Sequence, residues 1–148
     1  MSSQPSERVG VLATIDPDVT VASTVTSDWC DMTKYNSVLA IGFAGTLGSS
    51  ATVDFSVLQA SDSSGTGSKA ITSKAATQLT QAGTDSDKQV LINVRADDLD
   101  IDGNFTHVAL QAIVAVATSD IGGVVLGLDP KYGSANDNDL ASVYEIVA

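Results

Sequence analysis

Cysteine is almost missing from this chain: Cys30 is the only one in 148 residues. A single cysteine closes no disulfide within a chain, so a disulfide-stapled scaffold is excluded. Histidine is as scarce, with His107 alone. Zinc sites take three or four ligands, mostly Cys and His, and these two residues cannot supply them. Basic residues number 7 against 18 acidic ones, a formal net charge of −11. Such a surface repels phosphate backbones and anionic headgroups, so neither nucleic acid nor membrane is an expected partner. Glutamate is limited to Glu7 and Glu145. Solvated helix faces lean on Glu and Lys, so little helix is expected. Long apolar runs are missing too. The longest, residues 108–117, is broken by Gln111 and falls short of the roughly 20 residues of a membrane helix. The first eight residues carry no basic stretch followed by an apolar one, so no secretory signal is expected and synthesis in a cytoplasm is.

What the chain does have is Ser, Thr, Val, Asp and Gly, at 18, 14, 17, 16 and 12 residues. That is the composition of strands joined by turns. The length suits one domain. Residues 1–8, polar and containing Pro5, are expected to be a flexible arm, and residues 9–148 one domain. Strands are expected at 9–15, stopped by Asp16-Pro17-Asp18, and around Val19, Val21 and Val25. Residues 38–43 form a third, with Leu39, Ile41 and Phe43 on one face. In the fourth, Val53, Phe55 and Val57 alternate with Asp54 and Ser56. Residues 69–81 favour two short strands over a helix, because Thr72, Thr77 and Thr80 lie there. Further strands are expected at 90–95, at 106–118 (central and covered on both faces), at 124–128 and, closing the chain, at 140–147. Eight or nine strands with short connectors predict an all-β fold, an antiparallel β-sandwich of jelly-roll type. The alternation predicts a core containing Phe43, Phe55, Val57, Ile92, Val114 and Val116.

Candidate chemistry is sparse. Cys30 and His107 form the one conceivable nucleophile–base pair. Yet Asp28 and Asp31 flank the thiol, which raises its pKa and blunts it, and His107 sits in a strand. The sequence is therefore expected to hold no catalytic residue and no resident cofactor. Asp98, Asp100 and Asp102, followed by Gly103, resemble the start of a calcium loop. The position that requires a bidentate Glu holds Ala109, so a turn with Leu99 and Ile101 tucked inward is the favoured reading and weak calcium binding the other. Dispersed Asp residues suit solubilising turns better than a glycosidase pair. The only candidate glycan-binding loop is 129–139, with Tyr132, Asn136 and Asn138.

Several segments carry a family likeness. Asp28-Trp-Cys-Asp-Met-Thr-Lys-Tyr35 leads into Ser37-Val-Leu-Ala-Ile-Gly-Phe43. Ala51-Thr-Val-Asp-Phe-Ser-Val-Leu-Gln-Ala-Ser-Asp62 follows, then Ala82-Gly-Thr-Asp-Ser-Asp-Lys-Gln-Val-Leu-Ile-Asn-Val94 and Gly103-Asn-Phe-Thr-His-Val108. The pattern resembles the head decoration, or cement, proteins of tailed bacteriophages over most of residues 28–147. The resemblance implies a non-enzymatic β-rich virion protein that oligomerises on a capsid, with the major capsid protein and its own copies as partners. It transfers no catalytic, cofactor or metal residues. A carbohydrate- or receptor-binding module of a phage spike or fibre is the alternative. Low charge density fits either role, because apolar surface then remains for an interface. The arm at 1–8 is expected to be one contact, adding a strand to a neighbour's sheet edge.

Overall fold

A computed structural model describes residues 3–148. One helical turn, α1 (Pro5–Arg8), precedes ten strands: β1 (Val9–Thr20), β2 (Ser23–Thr26), β3 (Cys30–Asp31), β4 (Tyr35–Ala44), β5 (Thr52–Ala60), β6 (Lys69–Ala75), β7 (Leu79–Thr80), β8 (Lys88–Arg95), β9 (His107–Ala115) and β10 (Ser119–Pro130). One sheet has the order β1-β10-β4-β8 and the other β2-β9-β5-β6, with β3 beside β9 and β7 beside β5. Every pairing is antiparallel. Leaving aside the two-residue strands β3 and β7, this is an eight-stranded jelly roll, as the strand periodicity predicts.

The core lies between the sheets. Phe55, Val53 and Val57 of β5 and Val108 and Leu110 of β9 meet Val38 of β4, Val94 of β8 and Val125 of β10, all fully buried. The packing is asymmetric. The inward face of β4 carries Val38, Ala40, Gly42 and Ala44, and small residues there leave room for large ones opposite. A Cβ on Gly42 would stand 2.6 Å from the Phe55 ring, and one on Gly123 would stand 2.6 Å from Leu110. The big side chains of β5 and β9 thus fill space that β4 and β10 vacate.

That asymmetry corrects the expected core. Phe55, Val57, Ile92 and Val114 are buried, but Phe43 is 41% exposed and Val116 70% exposed. Leu39, Ile41 and Phe43 do share a face, and it is the outer one. Val116 falls in the turn after β9, at φ 74°. β9 is central within its sheet, but its second face is covered only in part: Ala109 is buried and Ile113 is exposed.

Other expectations shift as well. β1 does not stop at Asp16-Pro17-Asp18 but runs on to Thr20. Its register slips between Ile15 and Asp18, and β1 is an edge strand, where a bulge tolerates proline. Residues 69–81 are two short strands, the favoured alternative. The closing strand at 140–147 does not form, and β10 ends the sheets. The polar start is not a free arm over residues 5–8. It is a helical turn whose Glu7 carbonyl accepts from the Ala135 N–H at 2.7 Å, while the Gln4 N–H donates to the Glu7 carboxylate. Residues 1–2 lie outside the described residues.

Candidate functional site

The register places nine apolar side chains on the outside of the four-stranded sheet. Val9 pairs with Leu128, Val11 with Leu126, and Leu126 with Leu39. One step along, Val124 pairs with Ile41 and Ile41 with Leu91. Phe43 stands one further row on, opposite Gly122. Their neighbours along each strand, among them Val38, Ala40, Ile92, Val94 and Val125, are buried. Successive strand residues alternate faces, so these nine point outward. Leu91 is 60% exposed, and the rest, apart from exposed Phe43, are half-buried against each other.

None of the outer-face residues paired in these rows is a carboxylate, although 18 acidic residues occupy the chain. The polar groups beside the patch are Gln89, Asn93 and Arg95 on β8, Ser37 on β4 and Thr14 on β1. Beyond Phe43 it ends at an open hollow of about 430 Å³, where Asp18 and Asp120 stand beside Pro17 and Val19. The other sheet differs. Its outer rows set Thr24 and Asp54 beside Ile113, and Thr26 and Ser56 beside Gln111. An antiparallel sheet commonly keeps one wet face; here one sheet has a wet face and the other an apolar one. An apolar patch on the outside of a sheet is a candidate interaction surface.

The residues singled out for chemistry do not converge. Cys30 pairs with Val108 and Asp31 with His107, so the thiol and the imidazole leave opposite faces of the sheet. Cys30 is buried, and burial, helped by Asp28 and Asp139, pushes its thiol up to about 12. A thiol held protonated is no nucleophile. His107 Nδ1 lies 2.8 Å from the Thr106 hydroxyl.

Asp98, Asp100 and Asp102 also diverge. Asp98 accepts from the Arg95 N–H at 2.8 Å and pairs with Lys74 at 3.3 Å. Asp100 pairs with Lys69 at 2.6 Å and accepts from the Gly103 N–H, while Asp102 is exposed. Among the described residues no three His, Cys, Asp or Glu side chains gather as a cation site would require. Leu99 is buried, as the turn reading requires, but Ile101 is 63% exposed.

The bonds at these turns do set a pH limit. The Arg95 N–H lowers the Asp98 pKa, Lys69 lowers that of Asp100, and Thr66 lowers that of Asp62. A depressed folded-state carboxylate contributes stability above its unfolded value, about 3.9 for Asp, and loses it as pH falls through the folded value. The thermal midpoint is therefore expected to hold down to about pH 5 and to fall below about pH 4. Asp98→Asn is expected to flatten that acid limb, as a melting series across pH would record.

In the loop after β10, Tyr132 and Asn136 line a hollow of about 240 Å³ with Lys34, Tyr35, Pro130 and Asp137. Asn138 is not part of it, because its Oδ1 accepts from the Val11 N–H. Tyr35 is buried and Trp29 packs over Gly65, so Tyr132 is the one aromatic presented there. Among the described residues no helix is long and apolar enough to cross a membrane.

The outer face was hidden from sequence reading by its own strength. Leu39, Ile41 and Phe43 are larger than Ala40, Gly42 and Ala44, so alternation alone assigns them to the core. The signal that corrects this is glycine on the inner face of the partner strand, at Gly123 and Gly127. Small residues on the inner side of two adjacent strands say that the opposite sheet supplies the bulk.

No protein-family model matches the chain, and no curated protein matches it. Solved structures of virus particles are similar in shape. A chain of the infectious bursal disease virus Gx strain is 13% identical over 85% of this chain and 33% of that one, with a TM-score of 0.45. A chain of Broad bean stain virus is 15% identical, covering 99% of this chain and 97% of that one, at a TM-score of 0.44. A chain of the Cowpea mosaic virus empty virus-like particle is 11% identical, over 92% and 89%, at 0.40. The chain thus spans 33% of the length of the bursal disease virus chain. The likeness is one of fold.

Proposed function

We propose that this chain is a non-enzymatic structural protein that docks through the outer face of β1, β10, β4 and β8 onto a larger protein shell. The particular role proposed is decoration and cementing of a bacteriophage capsid, with the major capsid protein as partner and the virion surface as location. The observation that carries it is the apolar patch, whose paired rows hold no carboxylate, on a chain of net charge −11. An anionic chain that keeps the centre of one face free of carboxylates avoids desolvating negative charge there when a partner covers it. A protein surface of matching apolar character is the fitting occupant, whereas nucleic acid and anionic lipid would meet no cationic patch. Binding only the mature lattice stabilises that lattice by mass action.

The test is co-sedimentation with purified capsids of the phage that encodes the chain. The expected result is saturation at a fixed number of copies per capsid subunit and a raised thermal midpoint of the heads. Absence of saturable binding would overturn the reading. The runner-up is the glycan- or receptor-binding module, favoured by the Tyr132 and Asn136 hollow. It predicts that a Tyr132→Ala variant loses binding while outer-face variants retain it.

A further inference from the structure

We propose that residues 140–148 of one copy add as a strand to the outer edge of β8 in a second copy. The proposal rests on the assembly reading for its purpose and names a partner, another copy of this chain, at a surface separate from the docking face. Three observations meet here: an unpaired segment, an open edge, and a reach too short for the two to meet within one chain.

The segment is Leu-Ala-Ser-Val-Tyr-Glu-Ile-Val-Ala, with Glu145 as its single charge. It reads as a strand by composition. In the structure it has no strand to join: Leu140 is 79% exposed, Tyr144 101% and Val147 82%. Backbone bonds reach Val143, whose N–H donates to Asp139, and none involves 144–148 among the described residues. Apolar side chains and main-chain groups are both left to water.

β8 is the long open edge. The opposite edge of that sheet, β1, is capped at Val11 and broken by register shifts between Val11 and Ala13 and between Ile15 and Asp18. The Val11 N–H donates to Asn138, and the Val11 carbonyl accepts from the Asp139 N–H at 2.7 Å. In the other sheet β2 has four residues, β3 and β7 two each, and β6 carries a register shift in its pairing with β5. β8 pairs through eight consecutive residues with β4 and with nothing else among the described strands. Its Arg95 N–H donates away from β4, to Asp98. By the two-residue period, Gln89, Leu91 and Asn93 then aim their main-chain groups at the same outer side. Beside that edge lies a hollow of about 240 Å³ lined by Lys74, Ala76, Leu91 and Asn93, room for a side chain of an added strand. Lys88 stands at one end of β8 with no ion-pair partner among the described residues, and Glu145 is its charge complement.

The segment cannot satisfy β8 of its own chain. Asp139 lies outside β1, at the far edge of the order β1-β10-β4-β8. A strand outside β8 is five inter-strand spacings away, about 24 Å. Crossing that distance uses about seven extended residues, so residues 140–146 cannot lie along β8 of their own chain. Strand addition between copies meets no such limit, and main-chain bonding supplies it.

The test compares the full chain with a truncation lacking residues 140–148, by sedimentation velocity without capsids. The full chain is expected to be a dimer or larger. The truncation is expected to melt at the same temperature and sediment as a monomer. A synthetic peptide of residues 139–148 is expected to bind the truncated chain. The same peptide N-methylated at alternate residues is expected to bind about tenfold more weakly or worse, since it cannot form the ladder. A monomeric full chain, or a truncation that associates as the full chain does, would overturn the proposal. Ile41→Lys separates it from shell docking. If the truncation still associates while Ile41→Lys alone abolishes capsid binding, strand addition fails and docking stands. If the truncation is monomeric and capsids bind neither it nor the full chain, docking fails and strand addition stands.

Discussion

Ile41→Lys or Leu126→Lys is expected to leave the fold intact and to abolish docking. Both side chains are half-buried on the outer face of the four-stranded sheet. A lysine there lays its methylene stem over neighbouring apolar groups and keeps its ammonium in water. The cost to the free chain is expected to stay within about 1 kcal/mol. In the docked state the ammonium loses that water. Central, desolvated interface positions cost about 2 kcal/mol or more when disrupted, so binding is expected to weaken about 30-fold or more for each change. The measurement is co-sedimentation across a concentration series, with the thermal midpoint of each free variant as control. Asp54→Lys, on the wet outer face of the other sheet, is expected to change neither quantity.

The second large effect lies in the core. Phe55 is 1% exposed and its ring sits against Gly42. Phe55→Ala is expected to cost about 3–5 kcal/mol, a large part of the 5–15 kcal/mol typical of a domain. That corresponds to a fall of about 6–20 °C in thermal midpoint at this chain length. Gly42→Val alone is also expected to destabilise, because its Cβ would stand 2.6 Å from the ring. In the Phe55→Ala background the sign is expected to reverse, since the valine then fills space the ring has left. Sites that share one volume are not additive. Calorimetric melting of the two single variants and the double variant measures the coupling; strict additivity would contradict this description of the core.

The same Phe55–Gly42 contact explains how much of the molecule was legible beforehand. Strands with polar alternation, such as Val53-Asp54-Phe55-Ser56-Val57, announce both their presence and their buried face. The jelly-roll class followed from such strands and their short connectors. β4 and β10 were found as strands, but with apolar residues on both faces alternation does not say which is inside. That depends on what the opposite sheet contributes, a three-dimensional fact. The continuation of β1 past Pro17 depends on its being an edge, which sequence does not show. Residues 140–148 have the composition of a strand and no strand to pair with in their own chain, so local propensity alone misplaced them. At the candidate site, the separation of Cys30 from His107 comes from two adjacent residues of β3 facing opposite ways. Of the outer patch, only Phe43 was assigned to the core, with Leu39 and Ile41 on the same face of their strand.

The most direct test of the docking face is hydroxyl-radical footprinting of the protein free and bound to capsids. Phe43 and Leu91 are open to the radical in the free chain, at 41% and 60% exposure, as is Tyr132 at 81%. Docking by the outer face predicts strong protection of Phe43 and Leu91 on binding, with Tyr132 still modified. Protection of Tyr132 with Phe43 and Leu91 modified as in the free chain would contradict it.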